Sequence, residues 1–185
     1  HASVLSGGRF AAEAIATIKV SGAGLVDLDH LRERLAEGAP ALVSVMLANN
    51  ETGAIQPIGD IAEIVRAAGG LLHVDAIQGL GKIPFAINSI KADLITLSAH
   101  KIGGPKGVGA VVVSEDVQGL EPLLRGGGQE MGRRAGTENV AGIAAFGAAV
   151  RAATAALKDD AERLQGLRSR LEGGLKETPG MILFA

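Results

Sequence analysis

The sequence contains no cysteine, no tryptophan and no tyrosine, and it has only four phenylalanines. The lack of cysteine excludes disulfides and cysteine-ligated metals, and it is compatible with a cytoplasmic protein. With so few aromatic rings, the chain offers no platform on which nucleic-acid bases could stack. The net charge of −2 comes without a block of basic residues, which also argues against nucleic-acid binding. Four scattered histidines do not have the spacing of a metal site.

Long apolar runs are also scarce. We expect no membrane-spanning segment, and no secretory signal is visible. The chain is instead rich in glycine, with 27 among 185 residues, and 47% of its residues are hydrophobic. A chain of this length can bury a sizeable core, and the glycines indicate many tight turns.

The order of the apolar runs predicts an α/β fold with a mainly parallel sheet flanked by helices and one antiparallel strand. Only a Gly/Pro turn separates the last two predicted strands, which is too short for a crossover helix, so that pair should be antiparallel. The predicted strands are 18–20, 41–48, 71–75, 94–100 and 108–113. The predicted helices are 2–16, 28–36 capped by Asp27, 58–68, 139–156 and 159–175.

Polar side chains follow three of the predicted strands at the point where each strand ends. Asn50 follows the first of these strands, Asp75 ends the second, and Ser98, His100 and Lys101 end the third. Taken singly, these residues could form a turn, cap a helix or bind backbone groups. Ligands of such sheets lie at the carboxyl ends of the strands, so three polar ends together indicate a site.

A carboxylate and a lysine in one pocket have two possible uses. They could form a plain salt bridge. They could also hold the two ends of a flat cofactor, and pyridoxal phosphate requires such a pair. An acid keeps the ring nitrogen protonated, so that the ring withdraws electrons, and an amine binds the aldehyde. Asp75 and Lys101 are the candidates for these two roles.

Four motifs occur in a fixed order along the chain. They are Asn-Asn-Glu-Thr-Gly (49–53), His-Val-Asp-Ala-Ile-Gln (73–78), Ser-Ala-His-Lys-Ile-Gly-Gly-Pro-Lys-Gly (98–107) and the glycine-rich stretch Arg-Gly-Gly-Gly-Gln-Glu-x-Gly-x-Arg-x-Gly-Thr-Glu-Asn (125–139). The ordered set closely resembles the NifS/IscS-type cysteine desulfurases, which belong to class V of the fold-type I pyridoxal-phosphate transferases. The resemblance implies a cofactor-binding large domain over 1–137, without its N-terminal segment. It further implies linking helices over 138–175 and the start of a small C-terminal domain over 176–185.

The resemblance also implies roles for five residues around the cofactor. Lys101 would be catalytic, binding the cofactor covalently and later moving the proton of the substrate Cα. Asp75 would pair with the ring nitrogen, and Gln78 would bind the ring hydroxyl oxygen. Ser98 and His100 would bind the phosphate, and both should lie on one face of the strand because side chains alternate with a period of two.

Three further positions match the family more peripherally. His1 would stack on the ring as a second catalytic residue, although a disordered terminus is the alternative. Asn50 would contact the cofactor or the substrate. Thr137 would reach the phosphate of a partner subunit, which implies a homodimer with a composite site. A helix N-cap is the alternative for Thr137, and one residue could serve both purposes.

The implied reaction converts L-cysteine to L-alanine and leaves the sulfur on an enzyme cysteine as a persulfide. An acceptor such as an iron–sulfur scaffold would then take the sulfur for cluster and thio-cofactor assembly. This chain has no cysteine, begins with His1 rather than methionine and ends on the strand-like residues 181–185. We therefore expect a piece of a longer protein that has no desulfurase activity by itself. The alternatives are another class V enzyme, such as a selenocysteine lyase or an aminotransferase-like relative, and a non-catalytic fragment or degenerate homologue.

Overall fold

A four-stranded sheet forms the centre of the computed structural model. The strands follow one another in chain order across the sheet. They are β1 (Leu42–Met46), β2 (Leu71–Asp75), β3 (Leu94–Ser98) and β4 (Gly109–Val113). The first three strands are parallel and β4 is antiparallel to β3, which confirms the predicted mixed sheet. The structure describes residues 1–6, 8–36, 38 and 40–183.

Within the described residues, five α-helices and three 3₁₀ turns accompany the sheet. The helices are α1 (Ala2–Leu5), α2 (Leu28–Ala36), α3 (Ile58–Ala67), α4 (Ile87–Ile90) and α5 (Val140–Lys176). The 3₁₀ turns are Ala12–Ala14, Ala99–Ile102 and Gln129–Gly132. The predicted cap of α2 is confirmed, because the Asp27 carboxylate accepts hydrogen bonds from the backbone N–H groups of Asp29 and His30.

Three expectations near the chain ends are wrong. The predicted helix over 2–16 is only the single turn α1 followed by a 3₁₀ turn, and Gly8 between them adopts a left-handed φ of 60° that a helix cannot continue through. The predicted strand over 18–20 reduces to one antiparallel bridge between Val20 and Val26. Residues 181–183 form no strand, and the rest of that predicted strand, Phe184 and Ala185, lies outside the described residues.

The two helices predicted after residue 138 are one continuous helix, α5, of 37 residues. The sequence between them contains neither proline nor glycine, so nothing interrupts the backbone hydrogen bonds there. By length and composition alone, α5 could cross a membrane, so the expectation that no apolar stretch is long enough is wrong. Only 11% of its most apolar stretch is buried, so α5 is not a core helix of this chain, and its alanine-rich composition accounts for its apolar character.

The hydrophobic core lies between one face of the sheet and helices α2 and α3. Leu31 of α2 and Ile61 of α3 are fully buried there, together with Leu72 and Val74 of β2. Because side chains alternate along a strand, His73 and Asp75 of β2 point to the opposite face. The apolar core therefore fixes β2 in a register that places a carboxylate at the end of the other face.

Candidate functional site

The carboxyl ends of β1, β2 and β3 meet at one edge of the sheet. The register pairs Met46 with Asp75 and Asp75 with Thr96, so the three parallel strands end side by side. Ser98 is the last residue of β3. The structure thus gathers the residues that follow these strands at one edge, where ligands of such sheets bind.

Asp75 is the buried acid of this edge, with only 4% of its surface exposed. Its Oδ1 accepts a hydrogen bond from the backbone N–H of Ile77 at 3.0 Å, and its Oδ2 accepts one from the Ser3 hydroxyl at 2.7 Å. Both donors are neutral, and no ion pair among the described residues includes Asp75. A buried carboxylate without a cationic partner suits a ligand with a positively charged N–H group.

The prediction that Lys101 lies at the end of a strand is wrong. β3 ends at Ser98, and Lys101 lies in the following 3₁₀ turn, Ala99–Ile102. Gly103 ends this turn with a φ of 80°, and a Cβ at Gly104 would come within 2.9 Å of the Ala99 carbonyl oxygen. Only glycines allow so sharp a return of the backbone, so they determine where Lys101 sits.

Ser98 and His100 are adjacent, although not for the predicted reason. His100 is outside the strand, so the two residues do not share a strand face. The 3₁₀ turn instead folds the imidazole back, and Nδ1 of His100 lies 2.8 Å from the Ser98 hydroxyl oxygen. The pair offers polar hydrogen atoms to an anion at the start of the turn.

Gln78 is held by Lys82, which the sequence analysis did not single out. The Lys82 ammonium donates a hydrogen bond to Oε1 of Gln78. Burial lowers the pKa of Lys82, and the positive charge of Lys101 lowers it further. Because its carbonyl is occupied, Gln78 keeps its amide N–H groups for a ligand oxygen.

His73 connects three strands on the face that carries Asp75. Its Nδ1 lies 2.6 Å from the Ser44 hydroxyl oxygen of β1, and its Nε2 lies 3.1 Å from the Thr96 hydroxyl oxygen of β3. Burial lowers the pKa of His73, and the nearby negative charge of Asp75 opposes part of this effect. His73 thus belongs to a row of polar side chains that runs across the sheet on the face of Asp75.

The lowered pKa of His73 predicts that the protein loses stability in mild acid. In the unfolded chain the His73 imidazole binds a proton near pH ~6.5, whereas in the folded protein it binds one only at lower pH. The free energy of unfolding should therefore decrease as the pH falls through that value. Urea unfolding at several pH values should show this slope, and His73→Gln should flatten it. His30→Gln, which removes a histidine outside the sheet, is the control, and an unchanged slope in His73→Gln would contradict the prediction.

Asn50 lies in the turn after β1 and is exposed. Its neighbour Asn49 shapes this turn, because Oδ1 of Asn49 accepts hydrogen bonds from the backbone N–H groups of Glu51 and Thr52 at 2.8 and 2.9 Å. Within the described part of the chain, the Asn50 side chain makes no hydrogen bond. Its amide is thus available to a ligand at the edge.

Thr137 does not cap α5, so that alternative is wrong. The cap is Asn139, whose side-chain oxygen accepts a hydrogen bond from the backbone N–H of Gly142 at 3.0 Å. Thr137 is exposed two residues earlier. Its hydroxyl is therefore not needed to satisfy the helix and can bind elsewhere.

His1 lies near Asp75, with Ser3 between them. Its Nδ1 accepts a hydrogen bond from the backbone N–H of Ser3 at 3.1 Å and so caps α1. The same nitrogen lies 2.9 Å from the Ser3 hydroxyl, which in turn bonds Asp75. Ser3 links the two residues, and no sequence signal separates it from other serines near a helix start.

Comparison with known proteins agrees with the resemblance inferred from the motifs. A family model described as aminotransferase class-V matches residues 5–185. A cysteine desulfurase of Gluconacetobacter diazotrophicus is 45% identical over 163 residues, which cover 88% of this chain and 40% of the relative. A cysteine desulfurase of Klebsiella pneumoniae is 47% identical over 182 residues, which cover 91% of this chain and 45% of the relative.

The solved structures agree with these relatives. A NifS-like protein from Rickettsia africae superposes with a TM-score of 0.87 at 40% identity, covering 90% of this chain and 47% of that structure. The chain spans less than half the length of the curated relatives it matches. The family model nevertheless matches nearly all of the chain, and the chain therefore belongs to the aminotransferase class-V family.

Proposed function

We propose that the protein carrying this chain is a pyridoxal-phosphate-dependent cysteine desulfurase, which converts L-cysteine to L-alanine and transfers the sulfur. One observation carries this proposal. Asp75 is a buried carboxylate without a cationic partner in the described residues, and it lies at the sheet edge that also bears Lys101. Relatives named cysteine desulfurase share 45–47% of the residues they align with it.

The residues at this edge fit pyridoxal phosphate. The Asp75 carboxylate would hold the protonated ring nitrogen, since its existing donors leave its negative charge uncompensated. Gln78, whose carbonyl Lys82 occupies, would donate its amide N–H to the ring hydroxyl oxygen. The Lys101 amine would bind the aldehyde carbon. When bound, the cofactor withdraws electrons from the substrate Cα.

The remaining residues supply the ends of the pocket. Ser98 and His100, whose side chains are in contact, would bind the phosphate. His1 would lie against the ring, and Asn50 would contact the substrate side. Thr137, which does not cap α5, would reach the phosphate of a second copy. We therefore propose a homodimer with a composite site.

Proton transfer at the substrate Cα falls to Lys101. With the substrate bound, the free Lys101 amine would accept the Cα proton and return it to the product. The adjacent glycines leave room for this movement, because residues 103 and 104 carry no side chain.

Transfer of sulfur requires a thiol that this chain does not contain. We propose that another part of the full-length protein supplies this cysteine and that an iron–sulfur scaffold or similar protein accepts the sulfur. The 185-residue chain by itself should then produce no persulfide. The division into a large domain over 1–137, linking helices over 138–175 and a small domain from 176, together with a cytoplasmic location, stays a prediction.

Substrate tests on the full-length protein decide between the candidate activities. Loaded with pyridoxal phosphate, it should release alanine and sulfide from L-cysteine in the presence of a thiol reductant. The 185-residue chain, measured beside it, should release neither. Release from selenocysteine alone, or amino transfer to a keto acid, would instead indicate another class V activity. No turnover of any amino acid would favour a non-catalytic homologue.

A further inference from the structure

Gly81 lies where three parts of the molecule meet. Its backbone has a left-handed φ of 67°. A Cβ at this position would lie 2.8 Å from Cβ of Ala153 in α5 and 3.1 Å from Cγ2 of Ile102, the last residue of the 3₁₀ turn after β3. Cβ atoms essentially never come within 3.0 Å of another heavy atom. The segment around Gly81, helix α5 and the turn therefore meet at a position that has no room for a side chain.

Two of these three parts carry residues that lie on different sides of the proposed cofactor site. Backbone hydrogen bonds of 2.9–3.1 Å fold residues 76–83 into consecutive turns directly after Asp75, and Gln78 lies in these turns. Ile102 directly follows Lys101 in the 3₁₀ turn. The close contact between the two parts thus separates the acid and the amide from the lysine.

We propose that Gly81 is a positioning residue, because the absence of a side chain there sets the spacing between residues 75–83 and the turn that carries Lys101. This inference rests on the proposed function, in which both segments hold the same cofactor ring. A methyl group at position 81 would need about 0.6 Å more room to reach an ordinary contact of 3.4 Å with Ala153. A displacement of this size matters, since groups of a binding site must be held within about 0.5 Å of the productive geometry.

The displacement can be measured without the cofactor. In full-length protein with ¹³C-labelled isoleucine methyl groups and no pyridoxal phosphate, Gly81→Ala should shift the methyl signals of Ile102, which the Ile102→Val variant assigns. Gly119→Ala is the matched control. Gly119 has a similar φ of 71°, but no atom lies within 4 Å of the position of its Cβ. The control therefore introduces the same kind of backbone strain without the contact, and the Ile102 signals should not change.

Cofactor binding supplies the second measurement. Gly81→Ala should raise the dissociation constant of pyridoxal phosphate about tenfold, because the cofactor can no longer contact both segments at their original spacing. Adding Ala153→Gly should restore the affinity, since it removes the atom nearest to the new methyl group. A loss caused by lower stability alone would instead become larger in the double variant, because glycine also weakens a helix. Failure of Ala153→Gly to restore the affinity would overturn the inference.

Ala153→Val enlarges the other side of the contact and leaves the backbone of Gly81 unchanged, so it decides the question if Gly81→Ala does not fold. It should also raise the dissociation constant, whereas Ala155→Val, at an exposed position of α5, should not. Wild-type affinity in Ala153→Val, or an equal loss of affinity in Gly119→Ala and Gly81→Ala, would contradict the role of Gly81. A wild-type protein that binds no pyridoxal phosphate would refute the proposed function, and the Ile102 methyl signals would then decide whether residue 81 positions the turn.

Discussion

Lys101→Ala in the full-length protein should remove both the visible absorption of bound pyridoxal phosphate and the conversion of cysteine to alanine. The Lys101 amine attaches the cofactor and moves the Cα proton. A water molecule in the space left by the lysine side chain cannot perform both of these roles. Loss of a positioned acid–base group alone lowers a rate by about 10²–10⁴-fold. Absorption spectra and alanine release, measured on the same preparations, test the two effects together.

Two further variants test whether the amine itself or only its positive charge is required at position 101. Lys101→Arg keeps a positive charge but cannot give up its proton, so it should be as inactive as Lys101→Ala. Lys106→Ala removes an exposed lysine five positions further along the chain and should retain the spectrum and the rate. Full absorption and turnover in Lys101→Ala would refute the assignment of this amine, whatever the cofactor content of the other variants.

The sheet was predictable because its strands are dictated by short-range patterns. Residues 71–75 form an apolar run that ends in a polar residue, and this is the observed β2. The antiparallel pair was predictable from the length of the connection between β3 and β4, since the turn between residues 98 and 109 is too short to contain a crossover helix. The predicted position of Asp75 at the carboxyl end of a parallel strand is confirmed, because β2 ends at this residue, whereas the roles of Asp75 and Lys101 stay predictions.

Other features depend on contacts between distant parts of the chain, which no local pattern encodes. The bond between Ser3 and Asp75 joins residues 72 positions apart, and the row through His73 joins three strands. The end of β3 was placed two residues too late because His100 continues the alternation, while the Gly103–Gly104 turn pulls it into a 3₁₀ conformation. Helix α5 was divided in two because its character changes from apolar to charged, although nothing breaks its backbone.

Asp75→Asn should separate activity from folding. The asparagine oxygen can still accept the backbone N–H of Ile77, and its amide can donate to the Ser3 oxygen, so the local hydrogen bonds survive. The change also removes a buried charge that has no cationic partner in the described residues, so the free energy of unfolding should not decrease. Urea unfolding of the cofactor-free protein measures this change in the free energy of unfolding separately from cofactor binding.

Cofactor affinity and the rate of alanine release should both decrease in Asp75→Asn, because an amide cannot keep the ring nitrogen protonated. Loss of a charge-assisted hydrogen bond of ~1.5–3 kcal/mol corresponds to a dissociation constant for pyridoxal phosphate about 10- to 150-fold higher. Alanine release at saturating cofactor should fall by at least ~10²-fold, since the ring withdraws electrons less strongly when it is unprotonated. Asp116→Asn, at an exposed position between β4 and the glycine-rich stretch, is the control and should change neither value. Wild-type affinity and rate in Asp75→Asn would show that the ring nitrogen does not meet this carboxylate. A parallel loss of stability and activity would instead make Asp75 a structural residue.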